Sequence, residues 1–553
     1  MSHEADEPVR ALDDAAAPDP PPDERGRGGL LLALALLLLL GGAAAWQHRA
    51  QHNPDGLCYL RLASYLAQGD VKPSISGYWS PLLVWSLAPL LALGVEPLLA
   101  ARLALLAWAA VGVVGLHRLT SRLGLAGHPR ALVVAAAALI LAEVATNQTT
   151  PDVVLGACLL HYAAASLDPR LADGGRRAAA AGALGGVAYL AKSYALPFVA
   201  LHLPLTLLVR ARVTGAPALG RPALRAGGLA LAGLLAVALP WMGALSWRYE
   251  RPTWSTVGWI AHAAAGPGVH PGEVVHPLDG LRTPPPPHGS VWEVPEVLPY
   301  RRWSPLASPA ERAHQVDLVR TNAGKVREIA AGWDLLGLTL PVASLAALIA
   351  AVAGVRLDPP ARLACAWVPL TFAVYAGGYL PVYVEDRYLR VLLAPLTLAL
   401  AAVLVLEALR RLGPDPRVRR LGLAVVTLLC ASFALAPAQA LARRAARPAG
   451  ADVRGREAWL RGLRDAGCRG PLAVVGLPWV EGQLWAFSLG ETFVGNADHD
   501  VAPDDLDAHG AATVIALRPR AGALDLGPAW TRVAAAMRPD GEWLDAYARA
   551  VRR

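Results

Sequence analysis

Apolar runs of membrane length recur along this chain, separated by polar breaks. Few folds tolerate that pattern. A backbone inside lipid must satisfy its own N–H and C=O groups, so repeated runs of this kind form a helical bundle. The runs are Gly28 to Trp46, Val95 to Leu116, Ala131 to Ala145, Val153 to Ser166, Ala178 to Ala191 and Ala195 to Val209. They continue as Gly227 to Ser246, Trp333 to Val355, Leu363 to Gly377, Tyr388 to Leu406 and Leu421 to Ala438. They predict about 11 transmembrane helices, several of them short against the roughly 20 residues that a bilayer needs. Composition agrees. Hydrophobic residues make up 55% of the chain and charged residues 17%, against about 25% charged in an ordinary soluble domain.

Arginine placement sets the expected topology. With the N-terminus in the cytoplasm, the inner loops hold Arg118, Arg122 and Arg130; Arg170, Arg176 and Arg177; and Arg210, Arg212, Arg221 and Arg225. Further along they hold Arg356 and Arg362, then Arg410, Arg411, Arg417, Arg419 and Arg420. The short outer loops carry Lys192 and Arg387 as exceptions. This alternation follows the positive-inside rule. The formal charge of +8 is then a membrane-topology signal, and no nucleic-acid partner is implied.

Three domains are expected: a disordered cytoplasmic tail over 1–27, a transmembrane domain over 28–438, and a small extracytoplasmic α/β domain over 439–553. The tail is rich in Asp, Glu and Pro. Its length and acidity argue against a cleaved signal peptide. Long outer loops span 47–94 and 247–332. In the last domain, Arg454 to Ala466 reads as a helix, and Pro471 to Gly476 and Ala512 to Leu517 read as buried strands. The five cysteines form no CxxC, and a Cys58–Cys468 bridge outside the membrane is conceivable.

The chemistry gathers at the outer helix ends. Asp55 lies just past the first run, ahead of an amphipathic helix with Tyr59, Arg61 and Tyr65, a turn at Gly69-Asp70, and the stretch Gly77-Tyr78-Trp79-Ser80-Pro81-Leu82-Leu83. Asp152 opens a helix after Thr149-Thr150-Pro151, which also suits plain helix capping. Glu143 is a further acid near a helix end, and Glu385 and Asp386 stand ready to neutralise Arg387. His262, His270, His276 and His288 have no metal-ligand spacing and read as loop residues.

The segment from Asp55 to Leu83 resembles the first outer loop of membrane glycosyltransferases of the GT-C fold, family 39 type. That type includes protein mannosyltransferases, lipid A aminoarabinose transferases and an uncharacterised bacterial group. Thr150-Pro151-Asp152, Gly185-Gly186 with Tyr189-Leu190-Ala191-Lys192, and Asp386-Arg387-Tyr388-Leu389 extend the resemblance, which runs from Gly28 to Leu406. The order of these motifs and their shared side carry it.

The resemblance implies a polyprenyl-phosphate sugar donor and a lipid, glycan or protein acceptor, with membrane lipids around the chain. It implies Asp55 as the catalytic base, Asp152 as a second catalytic candidate, Lys192 and Arg387 on the phosphate, and Tyr388 and Tyr59 lining the site. Many members carry a second acid after the loop aspartate; here it is Gly56, so a divalent metal has no tandem acid pair to hold it. Two other readings stay open on sequence grounds, a lipid or sugar transporter or flippase and a non-catalytic envelope-assembly scaffold. A transporter would place ionisable residues deep in its spans, which these runs nearly lack.

Overall fold

The computed structural model describes residues 24–550, except 52, 172–174, 216–219, 353–354, 447–450, 520–521 and 539–540. Most of the expected tail therefore lies outside the described residues.

Each expected run forms a helix. Seven are long and apolar enough to cross a membrane: Arg27–Gln47, Pro97–Arg122, Gly127–Asn147, Ala195–Thr214, Arg221–Tyr249, Asp386–Arg410 and Pro416–Ala446. The other four runs form Asp152–Ser166, Gly175–Ala191, Thr339–Val352 and Pro359–Gly377, which fall short of that length or hydropathy. The expected run from Trp333 becomes a turn up to Thr339, with Gly337 at φ 66°.

The bundle packs closely where small residues face each other. A Cβ on Gly182 would fall 1.7 Å from the Ala230 carbonyl oxygen, and one on Gly233 would fall 2.0 Å from that of Ala179. Helices Gly175–Ala191 and Arg221–Tyr249 thus meet backbone to backbone, as small residues allow in membrane bundles.

The first long loop folds as expected, into helix Pro54–Ala67, a turn, and helix Pro81–Ala92. The second contains two helices that apolar periodicity did not mark, Val257–Ala264 and Pro309–Ala331. The latter begins with a capping signal legible in hindsight. Ser308 accepts a hydrogen bond from the Glu311 N–H at 3.2 Å, and Pro309 takes the first turn.

The C-terminal domain is a five-stranded sheet with strands β1 (Leu472–Val475), β2 (Phe493–Ala497), β3 (Thr513–Leu517), β4 (Trp530–Met537) and β5 (Trp543–Arg549). The spatial order is β2-β1-β3-β5-β4, with β1 parallel to β2 and β3, and β5 antiparallel to its neighbours. The two expected strands are β1 and β3. The expected helix is Ala451–Asp465. Cys58 and Cys468 are both free and buried, so the conceivable bridge is absent.

This domain sits on the long loops. The outer edge of β2 is met by the second long loop: Leu281 bridges Gly495, the Arg282 N–H donates to the Val494 carbonyl at 2.6 Å, and the Phe493 N–H donates to the Gly289 carbonyl at 2.7 Å. Gly495 permits this approach. Its φ is 117°, and a Cβ there would lie 2.2 Å from the Gly280 oxygen. A sheet edge that would otherwise offer unpaired backbone groups is thereby covered.

Substituting Gly182 by Ala is expected to lower the thermal unfolding midpoint in detergent, with an overpacking cost of about 1–3 kcal/mol. Gly243, in helix Arg221–Tyr249, has nothing within 4 Å of its Cβ position. Gly243→Ala is expected to leave the midpoint unchanged or raise it.

Candidate active site

Three segments bring charge to one cavity, and a fourth places Asp152 against its cations. Asp55 occupies the first turn of helix Pro54–Ala67. The preceding Asn53 does not cap that helix; its side-chain oxygen accepts the Thr149 N–H at 2.8 Å. This bond pins the start of the Asp55 helix to the turn that leads into Asp152. Lys192 sits in the short turn between Gly175–Ala191 and Ala195–Thr214. Arg387 and Tyr388 lie in the first turn of Asp386–Arg410.

The Arg387 guanidinium is the common partner. Its Nη2 lies 3.6 Å from Asp55 Oδ2, and its Nε lies 3.7 Å from Asp152 Oδ2 and 2.5 Å from Glu385 Oε2. Lys192 Nζ donates to Asp152 Oδ1 at 2.8 Å. It also stands 3.7 Å from the centre of the Tyr388 ring, a cation–π contact. Tyr388 continues a column of stacked rings, 5.1 Å from Tyr379, which is 4.0 Å from Tyr194.

The cavity above these groups has a volume of about 450 Å³. Asp55, Lys192, Glu385, Arg387 and Tyr388 line it. Asp152 does not. Its side chain is 1% exposed, against 29% for Asp55, and lies beneath the two cations. Tyr59 is not among the lining residues either. It is buried, with its ring edge-on to Trp79 at 5.3 Å, so the expectation that it lines the site is corrected.

Two neighbouring acids also separate from the site. Asp386 pairs with Arg390 at 2.9 Å rather than with Arg387. Glu143 is held by Arg444 at 2.8 Å and Arg390 at 3.3 Å, which is a structural ion-pair network.

The opposite wall was not anticipated. Tyr78, His276 and Trp292 come from the two long loops, and Trp479 from the C-terminal domain. The Trp292 indole N–H donates to Asp55 Oδ1 at 3.3 Å. Trp292 is itself held by the Trp79 indole N–H, which donates to its carbonyl at 3.0 Å, and by ring contacts with His276 at 4.6 Å and Trp479 at 6.2 Å. His276 Nδ1 is 2.6 Å from the Tyr300 hydroxyl. Burial pushes the His276 imidazole down to about 4, partly offset by the Asp55 charge, so the ring is neutral at physiological pH. The aromatic density of the second loop was the available signal, but it could not say which rings would converge.

The donor set does not fit a divalent cation. Among the described residues, no three of His, Cys, Asp and Glu come together as ligands. A second acid beside Asp55 would also not fit, since a Cβ on Gly56 would lie 2.6 Å from the Thr149 Cβ. Asp55, Asp152 and Glu385 share a guanidinium as counter-ion.

No family model and no curated protein matches the chain. Solved structures do. ArnT from Cupriavidus metallidurans, bound to undecaprenyl phosphate, aligns at TM-score 0.53 and 16% identity over 94% of this chain and 98% of that one. The archaeal oligosaccharyltransferase AglB from Archaeoglobus fulgidus, in complex with an inhibitory peptide and a dolichol-phosphate, aligns at TM-score 0.51 and 11% identity over 89% of this chain and 69% of that one. The arabinofuranosyltransferase AftD from Mycobacteria aligns at TM-score 0.50 and 16% identity over 95% of this chain and 40% of that one. At these identities the likeness is one of fold. The chain has the architecture of the GT-C membrane glycosyltransferases, a helical membrane bundle with a small C-terminal sheet domain.

The Trp292 bond generates a prediction. Trp292→Phe keeps the ring packing and removes the donor to Asp55. A hydrogen bond to a charged group contributes about 1.5–3 kcal/mol. The thermal unfolding midpoint in detergent is expected to fall for Trp292→Phe by the loss of a bond of that strength.

Proposed function

We propose that this chain is an integral membrane glycosyltransferase that moves a sugar from a polyprenyl-phosphate carrier to an acceptor on the outer membrane face. One observation carries the reading: a partly exposed carboxylate, Asp55, faces the same cavity as two cations, Lys192 and Arg387. The structural likeness to ArnT and AglB, solved with undecaprenyl phosphate and dolichol-phosphate, supports the same class of donor.

The chemistry divides between the groups. Asp55 takes the proton from the acceptor hydroxyl as its oxygen attacks the anomeric carbon. The bond from that carbon to the phosphate oxygen breaks on the opposite face, and its electron pair leaves with the lipid phosphate. Lys192 and Arg387 stabilise the charge that develops there. A single base suffices because the lipid phosphate is already a good leaving group, so the anomeric centre inverts.

Asp152 is best cast as a positioning residue. It is buried and bonded to Lys192, so it holds the cation rather than meeting the acceptor. Lys192 is the freer phosphate ligand: its ammonium has three donors, and Asp152 is its one hydrogen-bond acceptor among the described residues. Tyr388 keeps the ammonium aimed into the cavity.

Asp55→Asn is expected to fold, to bind donor and to lose transfer by a factor of about 100 to 10,000. Lys192→Ala is expected to weaken donor binding strongly. Transfer by Asp55→Asn at the parental rate would remove Asp55 as base. Wild-type protein inactive with every polyprenyl-phosphate sugar tried would favour the scaffold reading.

The topology is tested separately. Reporter fusions after Arg177 and after Arg553 are expected to read the cytoplasmic and the outer side, respectively. Both reading one side would overturn the placement of the site outside.

A further inference from the structure

A second cavity, also of about 450 Å³, lies on the other side of the contact between helix Pro54–Ala67 and helix Trp479–Leu489. Both helices contribute to each cavity. Asp55 and Trp479, near their N-terminal ends, face the first cavity; Arg61 and Phe487, further along, face the second. Between them, the Gln483 side-chain amide meets Cys58 Sγ at 3.5 Å. The two cavities share no lining residue.

The second cavity is basic. Arg61, Arg461 and Arg464 line it against a single acid, Glu96. Both Glu96 oxygens are already engaged, accepting the Leu98 N–H at 3.0 Å and the Leu99 N–H at 2.7 Å at the start of helix Pro97–Arg122. Among the described residues none of the three arginines forms an ion pair with a carboxylate, although the buried Glu293 lies near Arg61. Arg61 donates to the carbonyl of Glu491 at 2.8 Å and stacks on Phe487 at 5.1 Å, and Arg464 donates to the carbonyl of Ser488 at 2.9 Å. Carbonyl acceptors aim a guanidinium without pairing its charge. Arg461 is exposed and has no partner among the described residues.

The position is as telling as the charge. Ala50, Pro97 and Leu98 in the wall lie next to the ends of two candidate spans, Arg27–Gln47 and Pro97–Arg122. The cavity thus sits at the height where a bilayer's headgroups begin. Leu98, Leu460 and Phe487 give it an apolar side.

We propose that this cavity binds the phosphate headgroup of an anionic membrane lipid, with the three guanidinium groups around the phosphate and the apolar side against the glycerol and first acyl carbons. Guanidinium forks match phosphate oxygens in geometry as well as charge. The site is separate from the donor phosphate position at Lys192, and its existence does not depend on the transferase reading.

The test is native mass spectrometry of the intact chain titrated with dioleoyl phosphatidylglycerol, with dioleoyl phosphatidylcholine and, as the free-phosphate arm, with glycerol 3-phosphate. Wild-type protein is expected to retain phosphatidylglycerol in preference to phosphatidylcholine. Arg461→Glu and Arg461→Ser are expected to weaken that binding by about tenfold or more for the charge reversal, and by less for the neutral change. Arg320, whose side chain is 76% exposed on helix Pro309–Ala331, supplies the control: Arg320→Glu is expected to change nothing. Equal retention of the two lipids, or of phosphatidylglycerol by wild type and Arg461→Glu, would overturn the proposal. Glycerol 3-phosphate binding as tightly as phosphatidylglycerol would overturn the lipid assignment in favour of a soluble phosphate compound.

Discussion

The Arg387 guanidinium is the contact on which the site depends. It stands between carboxylates from the first long loop, from the start of helix Asp152–Ser166 and from its own helix start. A half-buried cation is held more securely by several carboxylates than by one. Here three acids surround it, and one of them, Asp152, also binds Lys192. Five ionisable groups therefore satisfy each other at a helix-end boundary. The same network spaces Asp55 from Lys192. Asp55 reaches the guanidinium at 3.6 Å, while Lys192 is drawn to the other side by Asp152.

The second half of the cavity is built by parts that belong to no membrane span. The second long loop runs along the edge of β2 and carries Trp292 to Asp55. The C-terminal domain, docked through Arg61 and Gln483, adds Trp479 behind it. The sheet domain is thus a wall of the cavity as well as an appendage, and one carboxylate is oriented by an indole on one oxygen and a guanidinium on the other. An aromatic wall facing a cationic wall is an arrangement suited to a polar ring joined to a phosphate, since sugar C–H faces pack on aromatic rings and the anion takes the cations.

How far each residue could be read from the sequence follows from what made it conspicuous. Lys192 and Arg387 stood out as cations on a side where arginine is otherwise scarce, and Asp55 as an acid ahead of an aromatic helix. Tyr59 was misplaced because sequence distance says little about depth. It is one helical turn from Asp55, yet its ring points at Trp79 inside the fold. Trp292 and Trp479 were not singled out, because aromatic residues near a membrane are ordinary anchors in any such chain. Strand β4, Trp530–Met537, was not read from the sequence; its pairing with β5 holds it in the sheet.

The sequence by itself determined the helical membrane class, the order of the spans, the small α/β domain at the C-terminus and the charged residues at the helix ends. These follow from local rules: apolar run length, strand pattern and the distribution of arginine. Only the tertiary structure decided which of those residues share a cavity. It buried Asp152 and Tyr59, diverted Asp386 to Arg390, and carried Trp292 and Trp479 to Asp55 from more than two hundred positions away in the chain. Such contacts depend on how loops fold back over the bundle. That path is set by edge pairing with β2 and by close backbone approach at Gly495, which no local periodicity encodes.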